Sequence, residues 1–64
     1  MATIHPLKLR MTEHGVRQLR VAELSGVTPW RLNRILNGRL QAKPEEEGAI
    51  GVAIDRLIAA DAAA

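Results

Sequence analysis

The chain has 64 residues, no cysteine and a net charge of +2. That length holds one small domain with a thin core, and the lack of cysteine excludes disulfides and thiolate metal sites. No apolar run is long enough to span a membrane, and the opening MATIHPLKLR has no apolar core of the leader type, so the expected setting is a reducing cytoplasm.

Residues 1–5 are expected to form a loose arm. Pro6 is suited to the first position of a helix, and Gly15 to its end, which predicts a helix from Pro6 to about His14. Leu7 and Met11 are an apolar i, i+4 pair on it, and Leu9 lies off that stripe. Val16 is expected as a buried connector. A second helix is predicted from about Gln18 to Ser25, with Leu19, Val21, Ala22 and Leu24 as a broad apolar surface and Arg20 and Glu23 solvated. Gly26 follows Ala22 by four residues. A small residue there allows two helix backbones to approach, and a glycine accepts positive φ where the chain reverses.

Thr28 is a good N-cap and Pro29 a good first residue for a third helix, which Asn37-Gly38 closes. At about 100° per residue, Leu32, Ile35 and Leu36 share one arc of that helix. Pro29, Trp30, Asn33, Arg34 and Asn37 share the opposite arc, and Arg31 sits at the border. The single aromatic residue of the chain therefore points away from the core side. The helix begins Pro-Trp-Arg with no acid, an arrangement that costs about 0.3–1 kcal/mol against the helix dipole. A nearby phosphate or base acceptor would offset that cost.

GRLQAK, residues 38–43, reads as a loop with two basic residues and no acid. Pro44 opens the last helical region, with Glu45, Glu46 and Glu47 in its first turn, where the dipole favours acids. Ile50, Ala53, Ile54, Leu57 and Ile58 recur at helical spacing. Gly48 and Gly51 weaken the middle, leaving open one helix or two with a kink. Residues 61–64 are expected to fray, so the predicted domain is 6–60.

Charge is divided along the chain. Residues 1–43 carry eight Lys or Arg against two Glu, a balance of +6, and residues 44–64 carry one Arg against five acids, a balance of −4. A basic part toward a polyanion and an acidic part away from it is the functional reading. A solvated surface with chance clustering is the plain one. Catalysis has little support: Ser25 is the only serine, Cys and Tyr are absent, and no glycine-rich phosphate loop occurs. His5 and His14 lack nearby Cys or paired acids, so no metal and no other cofactor is expected.

Two short helices at a tight turn, the second with an apolar back and a polar front free of acids, read as a helix-turn-helix. Gln18 to Gly38 resembles that motif in the Cro/C1-type family of phage and bacterial repressors. The resemblance rests on Gln18, Ala22, Gly26-Val27, Leu32, Ile35 and Asn37-Gly38, and with flanking helices it covers residues 6–58. It implies an all-α, compact, lambda repressor-like domain of four or five helices. It also implies that Gln18 and Asn37 hold backbone phosphates, and that Thr28, Pro29, Trp30 and Arg34 face base edges. Pro29 and Trp30 replace the amide side chains common early in the recognition helix, and neither makes the bidentate bonds that read adenine. Asn33 and Arg34 are left as the polar base readers. Arg39 and Lys43 follow helix 3 directly and join Arg31 as expected phosphate contacts.

The function expected from these readings is a transcriptional regulator of the phage or plasmid repressor type. It would bind a palindromic operator in double-stranded DNA as a homodimer, with no small-molecule ligand and no membrane. The other reading is a protein-interaction module, or an antitoxin-type component, that uses the same fold with a protein partner.

Overall fold

A computed structural model describes residues 5–63. Its four helices are α1 (Pro6–His14), α2 (Gln18–Ser25), α3 (Pro29–Leu36) and α4 (Pro44–Ala63). Among the described residues there is no strand. The longest helix, α4, packs against α2 and α1, and α2 packs in turn on α3.

Local chemistry fixes most helix ends. Pro6 occupies the first turn of α1, and the His5 Nδ1 atom accepts the Leu7 N–H at 3.1 Å. His5 is thus an N-cap and not part of a loose arm; residues 1–4 of the expected arm lie outside the described residues. At the other end Gly15 adopts φ 64°, and the N–H groups of Gly15 and Val16 donate to the Thr12 and Met11 carbonyls. The same double closure ends α3, where Gly38 has φ 74° and the Gly38 and Arg39 N–H groups donate to the Ile35 and Arg34 carbonyls. Both are Schellman motifs, which satisfy carbonyls that a helix terminus leaves bare.

The turn between α2 and α3 follows the expected logic. Gly26 has φ 76°, and its N–H donates to the Ala22 carbonyl at 3.0 Å. Ser25 adds a bond that the sequence did not announce: its hydroxyl accepts the Val27 N–H at 3.2 Å. Val27 is buried, and the Thr28 hydroxyl then accepts the Arg31 N–H to start α3.

The core gathers Met11, Val21, Ala22, Val27, Leu32, Ile35, Leu36, Ile50, Ala53 and Ile54. Leu7, Val16, Leu40, Ala42, Leu57 and Ile58 pack around it. One expectation changes, and one open question closes. The broad apolar surface of α2 shrinks to Val21 and Ala22, because Leu19 and Leu24 are 65% and 51% exposed. An eight-residue helix has two turns, and only one side of them meets α3 and α4. The last helical region, left open as one helix or two, is a single unbroken helix through Gly48 and Gly51, and its bounds run to Ala63. Alanine has the best helix propensity, and burial of Ile50, Ala53 and Ile54 carries the helix past its glycines.

Candidate nucleic-acid interface

The buried back of α3 determines what its front presents. Leu32, Ile35 and Leu36 are almost fully enclosed, so the helix cannot roll without opening the core. Rotated by this anchor, Trp30 is 64% exposed, Asn33 and Asn37 are exposed, and Arg34 is half-buried beside them. Thr28 and Pro29 are exposed at the entry of the helix. A core position for Trp30 is thereby excluded.

Trp30 and Arg34 lie one turn apart and act as a unit. The Arg34 guanidinium carbon sits 4.8 Å from the centroid of the Trp30 ring. A guanidinium over an indole face is held by the ring quadrupole, and the contact limits the rotamers of both side chains. The arginine is pre-positioned on the outward face of the helix, with its hydrogen-bonding edge available.

Asn33 and Asn37 are joined in a second unit, and α1 contributes to it. The Lys8 ammonium donates to Asn37 Oδ1 at 2.5 Å, and Asn37 Nδ2 donates to Asn33 Oδ1 at 3.2 Å. Nothing in the sequence pointed to Lys8, which stands 29 positions before Asn37.

Arg31 is directed elsewhere. Its Nε and Nη2 donate to the two carboxylate oxygens of Glu46 at 2.9 and 2.7 Å, a bidentate pair between α3 and α4. Glu46 Oε1 also accepts the Lys43 backbone N–H at 3.0 Å, the reciprocal half of a capping box at the start of α4. These donors hold the Glu46 carboxyl down at about 2, chiefly through the Arg31 hydrogen bond and next through the Lys43 N–H. The Arg31 guanidinium, expected to meet phosphate, instead has its planar edge taken up by a carboxylate of its own chain. A Glu three residues after the helix-preceding Lys43 was the available sequence signal for the cap, but the arginine partner is non-local.

The remaining expected phosphate contacts are less tightly grouped. Gln18 is half-buried at the first position of α2, where Arg17 provides no side-chain cap and no acid occupies the first turn. The N–H groups of this first turn form a positive helix end without a side-chain cap. Arg39 and Lys43 are exposed on the loop after α3. Among the described residues, no group of three or more metal-ligating side chains comes together. No described helix is long and apolar enough to cross a membrane.

A buried-back, polar-front helix docked across a glycine turn onto a helix of equal length defines the helix-turn-helix class here. A family model described as Helix-turn-helix matches residues 7–47, well over half of the chain. The chain belongs to the Cro/C1-type helix-turn-helix family, whose members are DNA-binding transcription regulators and not typically enzymes. No curated protein and no solved structure gives a match.

Proposed function

We propose that this regulator is a small repressor of the phage or plasmid type that occupies an operator through α3 in the major groove. The observation that carries this reading is the front of α3. It holds an exposed Trp30 stacked with the half-buried Arg34 and an Asn33–Asn37 pair, with no acid, on a helix whose back is locked in the core. Arg34 is suited to grip guanine O6 and N7, and the exposed indole to pack on a thymine methyl or the sugar edge. Asn33 reads an adjacent base, with Thr28 and Pro29 fitting the groove at the helix entry. Gln18, Asn37, Arg39 and Lys43 position the domain through phosphates. Arg31 has its main role inside the protein, joining α3 to the start of α4 through Glu46.

One short helix reads few base pairs, so a homodimer on a two-fold symmetric site, with half-sites one helical turn apart, completes the reading. A cytoplasmic setting goes with it. The test is a salt titration of binding to random and to selected duplexes. A DNA-reading domain loses affinity steeply as salt rises, with a slope set by several phosphates.

The exposed Leu19 and Leu24 on α2 favour a second reading, in which a protein partner covers that apolar face. An antitoxin-type component would behave so. Absence of duplex affinity even at low salt would select this reading over the first.

A further inference from the structure

The contact between Lys8, Asn37 and Asn33 has a direction, and the direction follows from donor chemistry alone. An ammonium only donates. The atom of Asn37 that meets Lys8 at 2.5 Å is therefore its carbonyl oxygen. With the oxygen so committed, the other end of the Asn37 amide is its NH2 group, and that group faces Asn33 at 3.2 Å. An NH2 group needs an acceptor, so the Asn33 atom that meets it is Oδ1. The end of the Asn33 amide turned away from this contact, and offered to a partner outside the protein, is its own NH2, a donor.

We infer that Lys8 is a specificity-determining positioning residue: through Asn37 it fixes the Asn33 amide so that this side chain presents donors to the major groove. The inference rests on the DNA-reading function proposed above. A free asparagine offers one donor and one acceptor and matches the N6–H and N7 pattern of adenine bidentately. Asn33 in this relay has one of its two acceptor lone pairs taken and its oxygen turned toward Asn37, which disfavours the bidentate match. It matches best a base whose major-groove edge carries an oxygen, guanine O6 or thymine O4; cytosine N4 offers it no acceptor, and adenine offers N7 alone, beside an N6 donor left without its partner. Each base pair has one keto and one amino base, so Asn33 reports which strand carries the keto base. The remaining ammonium protons of Lys8 are free for solvent or a phosphate. Lys8 itself touches no base; it acts on selectivity through two amides.

The experiment is selection from random duplexes with the wild type, Asn33→Ala, Lys8→Met and Lys8→Arg, with affinities measured on the selected sites. Asn33→Ala identifies the base pair that Asn33 reads. At that pair the wild type prefers the keto orientation by about fivefold or more. Lys8→Met releases the relay, so the preference there falls below about twofold and adenine becomes acceptable, while preferences at the other pairs stay. Lys8→Arg keeps an obligate donor and restores the keto preference. In the free protein, the side-chain amide resonances of both Asn33 and Asn37 move in Lys8→Met and less in Lys8→Arg, with melting unchanged. The inference is overturned if Lys8→Met weakens all duplexes equally and leaves the keto preference intact, which would make Lys8 a phosphate contact only. It is also overturned if the wild type itself prefers adenine at the Asn33 pair. A wild type that retains no duplex at low salt removes the DNA-reading function together with the inference, an outcome that the wild-type binding data alone identify.

Discussion

Trp30 and Arg34 have their rotamers set by each other, and neither is part of the core. This separates their effect on binding from their effect on stability. Arg34→Ala is expected to cost about 1–3 kcal/mol of specific binding and to relax preference at one base pair. Trp30→Ala should cost affinity through lost apolar contact, and should also loosen the guanidinium that it supports. Both variants should melt within a few degrees of the wild type, since exposed changes are usually within about 0.5 kcal/mol. Melting and duplex affinity measured on the same preparations check this. A large loss of melting temperature in Trp30→Ala, with binding per folded molecule unchanged, would give Trp30 a structural role instead. Glu46 makes the opposite kind of prediction. Its carboxyl lies at about 2 in the folded chain against an ordinary 4.5. A depressed acid contributes stability that is full above its unfolded value and is lost as pH falls toward the folded one. Melting should therefore decline between about pH 4.5 and pH 2, and Glu46→Gln should be less stable at neutral pH with a flatter decline across that window. A Glu46→Gln profile parallel to the wild type would show that the Arg31 bridge contributes nothing to folding.

The helix boundaries were legible in the sequence because the residues that set them act locally. Pro6, Gly15, Thr28-Pro29, Gly38 and Pro44 each start or stop a helix with their own backbone or side chain. The outward face of α3 was legible for a related reason: three enclosed residues at helical spacing determine where the others point. The partners of Lys8 and Arg31 were not legible, since α1 meets the end of α3, and α3 meets the start of α4, only after the chain has folded. Leu19 and Leu24 were misread because periodicity shows that a face is apolar, not that a neighbour covers it. Gly26 supplies the prediction at this scale. A Cβ there would meet nothing within 4 Å, so crowding at the Cβ is not a source of loss. The φ of 76° is. Gly26→Val should destabilise the domain by about 1 kcal/mol or more through left-handed strain in a β-branched residue. Thermal melts unaffected by the change would remove the turn from the account.

At the scale of the molecule, the basic part of the chain carries α3 and its loop, and the acidic part carries α4. This division orients the domain toward a polyanion before any specific contact forms. It also predicts how the expected positioning residues behave. Alanine at Gln18 or Arg39 should weaken specific and random duplexes alike, with a shallower salt dependence for Arg39. A two-fold symmetric footprint with half-sites one helical turn apart would establish the homodimer, and a one-to-one complex on an asymmetric site by ultracentrifugation would exclude it. The placement of α3 in the major groove is tested most directly by methylation protection of guanine N7 on a selected duplex, with wild type and Arg34→Ala compared at equal occupancy. The account predicts protected guanines in each half-site for the wild type, and loss of protection at one guanine per half-site for Arg34→Ala. A bound duplex with every guanine N7 open to methylation, or a pattern that Arg34→Ala leaves unchanged, would contradict it.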